Sequence, residues 1–261
     1  MSSIQQFLQQ VPVQAGVYTL SGGGNAFEPL YLQLRTKEKW LMTDEEVKQL
    51  PLAEKQSPHY TLWKMRADSA TRFTAYLTQK SKPLTILDIG CGNGWLTNYI
   101  AANVNGSNVT GVDINLTELQ QAARVFGNQI NWLQADILQA EFMSGCFDIV
   151  LMSASFQYFE DVGKLIDRLL QFLKPGGEVH ILDSPFYTAG EAEQAKQRSI
   201  AYFSSMQSAP MQQYYHHHRL EQLSAYRYSV LYQPNRVVAT LGKWVGYYPS
   251  PFKWVCIKNK L

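Results

Sequence analysis

A glycine-rich turn after an acidic residue is the first feature of this sequence that can do chemistry. An apolar run ends with Asp88 and Ile89, and glycines follow at positions 90, 92 and 94. Glycine lets the chain turn tightly and lets a bulky ligand approach the main chain. A dinucleotide fingerprint requires glycine where Trp95 stands, and the Asp88 carboxylate would repel a pyrophosphate. The turn therefore favours a positively charged ligand and makes a nicotinamide dehydrogenase a remote alternative.

Two more aspartates follow the next two apolar runs. Asp113 ends the run Val109–Val112, and Asp136 follows Ile130–Leu133. A carboxylate at the end of the second strand can accept hydrogen bonds from both ribose hydroxyls, and Asp136 can accept one from the amino group of adenine. A turn or cap role explains each aspartate singly but explains the three together poorly. The set predicts a nucleoside site.

Short apolar runs alternate with helical stretches, which places these aspartates at one edge of a sheet. The predicted strands are Leu84–Ile89, Val109–Val112, Ile130–Leu133, Phe147–Met152 and Val179–Leu182. The predicted helices cover residues 57–80, about 94–104, 116–127, 161–173 and 189–206. This alternation demands a mostly parallel sheet covered on both faces. Such sheets bind ligands at the carboxyl ends of the strands, where the strand order reverses.

Five segments in succession resemble the motifs of class I S-adenosylmethionine-dependent methyltransferases. They are LDIGCGNGW, GVDIN, QADIL, FDIVLMSASFQYF and LKPGGEVHILD, and they are most similar to the small-molecule group with the ubiquinone/menaquinone-type enzymes. The resemblance covers roughly residues 60–185 and extends less clearly to the end of the chain. It implies a Rossmann-like, doubly wound α/β fold with a seven-stranded sheet and an antiparallel last strand. Tyr226–Tyr232 and Phe252–Ile257 are the candidates for the last two strands.

The resemblance implies S-adenosylmethionine as the cofactor, S-adenosylhomocysteine as the product and a small-molecule acceptor that the sequence does not identify. No metal is expected. Arg66 can pair with the methionyl carboxylate and Tyr60 can cover the site, although a solvated arginine on an amphipathic helix is an equal alternative. The predicted cofactor-binding residues are Tyr60, Arg66, Asp88, Gly90, Cys91, Gly92, Asn93, Trp95, Asp113, Ile114, Asn115, Asp136, Ile137, Ser153 and Ala154.

Four residues are candidates for an acid/base role toward the acceptor: Tyr158, Asp183, Tyr187 and His216. Phe156-Gln157-Tyr158 stands where many relatives have a leucine-histidine step, so no base can be carried over from the family there. The sequence also lacks the Asn/Asp-Pro-Pro-aromatic motif of enzymes that methylate amino groups of adenine or glutamine. Alignment of the acceptor with the methyl group supplies much of the rate in such transfers.

Composition narrows the range of partners. The formal charge of +2 and the absence of a basic stripe argue against a nucleic-acid partner. The first residues have no basic region followed by a continuous apolar core, and no apolar run reaches the roughly 18 residues of a membrane span. Three scattered cysteines fit neither a disulfide framework nor a zinc site. We expect a cytoplasmic protein with no membrane partner.

The chain divides into a segment 1–57 that packs on the main domain and a methyltransferase domain 58–261. In the first segment, Ser21–Asn25 predicts a loop, and Thr43–Glu46 predicts a capping box of a helix that Pro51 closes. Whether this segment caps the site or joins two subunits of a homodimer is open. In the aromatic and basic C-terminal region, inward packing is favoured over RNA binding. A non-catalytic cofactor-binding module and an RNA methyltransferase are the alternative functions.

Overall fold

Helices and strands alternate along the chain and build one sheet. The computed structural model describes residues 3–20 and 26–259, so the predicted loop Ser21–Asn25 lies outside the described residues. The helices are α1 (Ser3–Leu8), α2 (Phe27–Lys37), α3 (Asp44–Gln49), α4 (Tyr60–Thr78), α5 (Trp95–Asn103), α6 (Leu116–Phe126), α7 (Val162–Phe172), α8 (Ala189–Ser205) and α9 (Arg236–Trp244). The strands are β1 (Val13–Gln14), β2 (Val17–Thr19), β3 (Thr85–Ile89), β4 (Asn108–Asp113), β5 (Asn131–Gln134), β6 (Phe147–Ser153), β7 (Leu173–Leu182), β8 (Tyr228–Tyr232) and β9 (Trp254–Lys258).

The predicted α/β fold is confirmed, with a mostly parallel sheet and an antiparallel last strand. The strand order is β1-β2-β5-β4-β3-β6-β7-β9-β8. Strands β5, β4, β3, β6 and β7 run parallel, and β9 is antiparallel to both of its neighbours. The strand order reverses at β3, which pairs with β4 on one side and β6 on the other. The loops that follow β3 and β6 therefore lie side by side.

A hairpin from the first segment extends the sheet beyond the seven predicted strands. β2 pairs in parallel with β5, with Val17 opposite Trp132, and β1 pairs antiparallel with β2. Without the hairpin β5 would end the sheet and present a row of unpaired backbone groups. The sheet accordingly has nine strands among the described residues.

Two helices with regular apolar stripes cover opposite faces of the sheet. On α7, Val162, Leu165, Ile166 and Leu169 are buried in the same cluster as Phe147 of β6. On α4, the buried stripe of Trp63, Ala70, Phe73 and Leu77 packs in a second cluster with β3 and α5. Both stripes follow the spacing of three and four that the sequence predicts. Together the two layers fix the strand ends that carry the candidate site.

The capping box predicted for α3 is present, whereas the C-terminal region departs from its prediction. Thr43 Oγ1 accepts a hydrogen bond from Glu46 N–H, and the Glu46 carboxylate accepts one from Thr43 N–H at 2.7 Å. The aromatic residues near the C-terminus were expected to pack inward. Trp254 on β9 does so, but Trp244 is 88% exposed. The reason is that the β8–β9 connection forms α9 on the surface.

A buried ion-pair network joins α4, β7 and β9. Glu178 of β7 is 5% exposed, accepts a hydrogen bond from Tyr76 and pairs with Lys80 at 2.7 Å. Trp254 Nε1–H donates to His180 Nδ1 at 3.0 Å, so the Nε2–H of this ring faces Glu178 Oε2 at 3.2 Å. The cluster of Glu178, His180 and Cys256 has the ligand types of a metal site. Its histidine nitrogens are nevertheless both engaged by protein groups, so we interpret it as structural.

Glu178→Gln tests how much this network contributes to stability. Burial raises the pKa of Glu178, but the His180, Lys80 and Tyr76 donors outweigh burial and hold it well below its usual range. A depressed carboxyl pKa adds stability above the unfolded value of about 4.3 and loses it as pH falls below that value. We expect the variant to lose roughly 2–4 kcal/mol of unfolding free energy at pH 7 in urea denaturation.

The matched control for Glu178→Gln is Asp44→Asn. Asp44 pairs with Arg124 at 3.1 Å, and the two side chains are 40% and 58% exposed. Because water screens an exposed pair, we expect this change to affect stability much less. Equal losses of unfolding free energy in the two variants would show that the network does not stabilise the fold. The same follows if the difference in unfolding free energy between Glu178→Gln and the parent chain does not become smaller at low pH.

Candidate functional site

The glycine turn after β3 takes a shape that side chains would block. Gly90 and Gly94 have φ of +73° and +75°. A Cβ at Gly90 would lie 2.4 Å from the Cβ of Ser155, and one at Gly94 would lie 2.5 Å from the Trp132 ring. Both approaches are shorter than any real carbon contact, so glycine is required at both positions.

The turn is tied to the loops after β4 and β6. Gly90 N–H donates to Val112 O at 2.8 Å, and Ser155 Oγ–H donates to Ile89 O at 2.8 Å. Ala154, just before Ser155, has φ of +54°, an uncommon conformation for a residue with a side chain. These contacts hold the backbone of the β3 and β6 loops close together at the point where the strand order reverses.

Three adjoining cavities open around this point, which we call cavities I, II and III. Their volumes are about 340, 90 and 460 Å³. Gly90 and Gly92 line both cavities I and II, Arg35 and Arg66 line both cavities II and III, and Ala154 lines all three. The three spaces therefore meet at the carboxyl ends of β3 and β6.

Cavity I has apolar walls and two carboxylates. Ile114 and Ile137 lie on its lining, and Asp113 and Asp136 lie there with them. The Asp113 carboxylate accepts hydrogen bonds from the N–H groups of Gly92 and Asn115, each at 2.8 Å. These bonds fix its orientation while each oxygen keeps a further lone pair. The arrangement suits a flat heterocycle joined to a sugar diol.

Cavity II brings charged groups of both signs together. Asp88 is buried at 2% exposure and accepts a hydrogen bond from Thr97 at 2.7 Å, and burial raises its pKa to about 7. Arg66 lies over the rings of Trp40 and Trp63 and makes no hydrogen bond or ion pair with the described residues. The buried Nε1 of Trp63 also lacks a hydrogen-bond partner there. A ligand with an ammonium and a carboxylate would meet a complementary set of groups.

Glu118 lines cavities I and II, and the sequence analysis missed it. It lies in the first turn of α6, where Asn115 Nδ2 donates to it at 3.2 Å. Burial, followed by the charge of Asp113, raises its pKa to about 7. Its spacing of three from the cap residue Asn115 is that of a capping pair, and such a pattern points to a structural role rather than to a ligand.

The first segment forms one wall of the site, which sequence reasoning had left open. Phe27 and Tyr31 of α2 line cavity I, and Arg35 of the same helix lines cavities II and III. Arg35 pairs with Glu38 at 2.8 Å and donates to the Tyr158 hydroxyl at 3.2 Å. The segment thus caps the cavities in this structure.

Cavity III has aromatic and apolar side chains together with the charged Arg35, Glu38, Arg66 and Arg198, and Asp183 lies on its lining. The Asp183 carboxylate accepts hydrogen bonds from Ser69 at 2.7 Å, Ser250 at 3.0 Å and Ser153 at 3.3 Å. Burial raises its pKa, and the serine donors and Arg66 partly offset that rise. The other residues on the lining include Leu34, Met65, Gln157, Tyr158, Tyr187, Tyr202, Phe203, Met211, Tyr215 and Phe252.

Gln157 is a second lining residue that sequence reasoning did not assign. Its Nε2 donates to Ala154 O at 2.7 Å, which fixes the amide orientation. Its buried Oε1 has no hydrogen-bond partner among the described residues. A group on the acceptor side with an N–H or O–H would satisfy this oxygen if the side chain moves slightly toward it.

Most of the predicted residues come together, and two do not. Fourteen of the fifteen predicted cofactor residues line cavity I or II, the exception being Tyr60 at the start of α4. Tyr158, Asp183 and Tyr187 line cavity III. His216 instead lines a neighbouring cavity with His217 and His218, which shares Ser199, Phe203 and Tyr215 with cavity III, and its backbone N–H donates to Gln157 O. The prediction that His216 lies with the other acid/base candidates at cavity III is therefore corrected, while a chemical role for its side chain stays a prediction.

The sequence of the sheet matches known methyltransferases. The family described as "Methyltransferase domain" matches residues 86–177. An uncharacterized methyltransferase of Mycobacterium tuberculosis is 37% identical over 98 residues, which are 37% of this chain and 49% of that protein. Demethylmenaquinone methyltransferase of Thermus thermophilus is 31% identical over 112 residues, which are 42% of this chain and 51% of that protein. The chain spans about half the length of these curated relatives.

A solved structure extends the likeness in fold to most of the chain. Geranyl diphosphate C-methyltransferase of Streptomyces coelicolor, solved with S-adenosyl-L-homocysteine, superposes with a TM-score of 0.53 at 14% identity. The superposition covers 91% of this chain and 100% of that chain. With the family match and the order of the motifs, it supports one assignment. Residues 86–177 match the methyltransferase domain, and the fold with the order of the motifs supports the class I S-adenosylmethionine-dependent methyltransferase superfamily.

Proposed function

We propose that this protein binds S-adenosylmethionine across cavities I and II and transfers its methyl group to a small acceptor in cavity III. The observation that carries the proposal is the meeting of all three cavities at Ala154, at the reversal point of the sheet. Bound there, S-adenosylmethionine would supply an electrophilic methyl group on a sulfonium. The residues around it bind, orient and exclude water.

The residues of cavities I and II fit the two ends of this cofactor. Asp113 offers fixed carboxylate oxygens to the ribose hydroxyls, and Ile114 and Ile137 offer apolar surface to the adenine. In cavity II, Arg66 makes no ion pair with the described residues and fits the methionyl carboxylate, and Asp88 and Glu118 fit its ammonium. The orphaned Nε1 of Trp63 supports this assignment, because a buried donor without a partner is rare.

Cavity III supports a small and largely apolar acceptor. Aromatic and aliphatic side chains form the greater part of its lining, beside the charged Arg35, Glu38, Arg66 and Arg198, and a volume of about 460 Å³ suits a molecule of metabolite size. Alignment of the acceptor atom with the methyl group is the main catalytic contribution that we assign to this enclosure. Whether oxygen, nitrogen or carbon receives the methyl group depends on the acceptor.

Asp183 is the strongest candidate for a base if the acceptor must lose a proton. Three serine hydroxyls hold its carboxylate in place, and its raised pKa brings its basicity closer to neutral pH. Burial raises the pKa of Tyr187, so its hydroxyl stays protonated at neutral pH and serves as a hydrogen-bond donor. Tyr158 is held by Arg35 and orients the acceptor from the opposite wall.

A turnover assay separates an enzyme from a binding module. The full chain is first tested by thermal shift with S-adenosylhomocysteine and with NAD, and we expect only the former to stabilise it. It is then incubated with S-adenosylmethionine and a panel of small apolar hydroxyl, amine and enol compounds, and S-adenosylhomocysteine release is measured. Stabilisation by NAD alone would refute the cofactor assignment. Binding without turnover over a broad panel would favour the non-catalytic module.

Asp113→Ala tests the ribose assignment. The variant removes a carboxylate that we expect to accept charged hydrogen bonds from the ligand, each worth roughly 1.5–3 kcal/mol. Affinity for S-adenosylhomocysteine, measured by isothermal titration calorimetry, should therefore fall by about tenfold or more. An unchanged dissociation constant in a folded variant would contradict the assignment.

Glu118→Gln should gain stability while it loses affinity. The pKa of about 7 lies above the unfolded value of about 4.3, so ionisation of Glu118 opposes folding once the pH exceeds the unfolded value. The variant should unfold with a free energy higher by roughly 1–3 kcal/mol at pH 8, and the gain should vanish near pH 4. Its affinity for S-adenosylhomocysteine should fall at both pH 7 and pH 8.

The control for this variant is Glu45→Gln, at an exposed glutamate on α3. We expect neither its unfolding curve nor its affinity to change appreciably. If Glu118→Gln and the parent chain have equal unfolding free energies at pH 8, ionisation of Glu118 does not oppose folding. Unchanged affinity would remove Glu118 from the ligand site.

A further inference from the structure

A helix on the surface presents an apolar stripe to solvent. On α9 and the residue that follows it, Val237, Leu241, Trp244 and Val245 are 65%, 64%, 88% and 82% exposed. We call these four residues the α9 patch. Their spacing of four, three and one puts them on one side of the helix. Soluble domains expose single apolar side chains routinely, but a continuous stripe marks a site of interaction.

The core does not account for the α9 patch. None of its residues belongs to the buried clusters of the described chain, and Gly242 is the one buried position on the helix. The Asn235 side chain caps the helix by accepting from the N–H groups of Val237 and Val238. The helix is thus held in place at its start while its apolar side stays uncovered.

The surrounding charge selects the kind of partner. From Gln222 to Leu261 the sequence contains six lysines and arginines and no aspartate or glutamate. Arg236 and Lys243 lie on α9 itself and are exposed. Glu191 of α8 interacts electrostatically with Arg236 and Lys253, which leaves Lys243 as the cation to test. An apolar stripe that includes a tryptophan, together with nearby cations, is complementary to an interface that is both apolar and negatively charged.

We propose that the α9 patch binds the surface of an anionic lipid bilayer, with the helix lying in the plane of the interface. The described residues include no helix long and apolar enough to cross a membrane, so the contact is peripheral. This proposal differs from the sequence-based expectation of no membrane partner, and the vesicle experiment below decides between them. It does not depend on the proposed methyl transfer.

The apolar stripe and its nearby cations also argue against a second copy of the chain or an RNA as the partner of the α9 patch. Two copies meeting through this patch would bring their cations together, and Glu191, the acid that interacts with Arg236 and Lys253, is already engaged within each copy. Valine and leucine side chains do not stack on nucleic-acid bases, so an RNA contact would leave most of the stripe uncovered. A bilayer interface accepts apolar side chains and attracts the flanking cations at once.

Vesicle co-sedimentation of the full chain tests the proposal. We expect binding to phosphatidylcholine vesicles that contain about 30% phosphatidylserine, weaker binding to pure phosphatidylcholine, and release in about 0.5 M salt. Leu241→Asp should lower the partition coefficient by about tenfold or more. Lys243→Ala should lower it by roughly fivefold on the anionic vesicles alone.

Leu52→Asp is the matched control, because Leu52 is 78% exposed and lies in the first segment. It should bind vesicles as the parent chain does, and both aspartate variants should keep the parent melting temperature. The proposal is overturned if Leu241→Asp binds vesicles like the parent. It is also overturned if the parent ignores vesicles and Leu241→Asp instead abolishes a dimer in sedimentation velocity or binding to polyuridylate.

Discussion

The close contact between the loops after β3 and β6 is the constraint on which the candidate site depends. Gly90 lies so near Ser155 that no side chain fits between them, and Ser155 bonds back to the last carbonyl of β3. Because β3 and β6 are neighbours at the reversal of strand order, their helices diverge above them and leave space there. The contact between Gly90 and Ser155 closes that space on the side of the sheet. It also brings Ala154 to the place where the three cavities meet.

The sequence predicted the parts of the site that follow from strand periodicity. Asp88, Asp113 and Asp136 each stand near the end of an apolar run, and parallel strands bring such ends to one edge. The wall contributed by α2 could not be predicted, because apolar residues recur only weakly at helical spacing in this helix. Its position also depends on contacts with residues that are distant in sequence, such as Tyr158. His216 was misplaced for the same reason, since no regular element sets the direction of its loop.

Burial of carboxylates links ligand binding to the stability of the fold. Asp88, Asp113, Glu118 and Asp183 all have a raised pKa, and burial is the first cause in each case. Groups that oppose folding in this way are retained when their charge serves another purpose. A cationic ligand would relieve the repulsion between Asp113 and Glu118. In the network around Glu178, by contrast, the hydrogen-bond donors outweigh burial and hold the pKa of the carboxyl group low.

The connection between β8 and β9 joins the α9 patch to the acceptor side of the site. It carries α9 first and then Ser250, whose hydroxyl donates to Asp183, and Phe252, which lines cavity III. Tyr247 between them donates to Asp68, which ties the segment to α4. The proposed lipid contact and the proposed acceptor cavity are therefore built in part from one continuous segment, in which the residues of α9 precede those that reach Asp183 and cavity III.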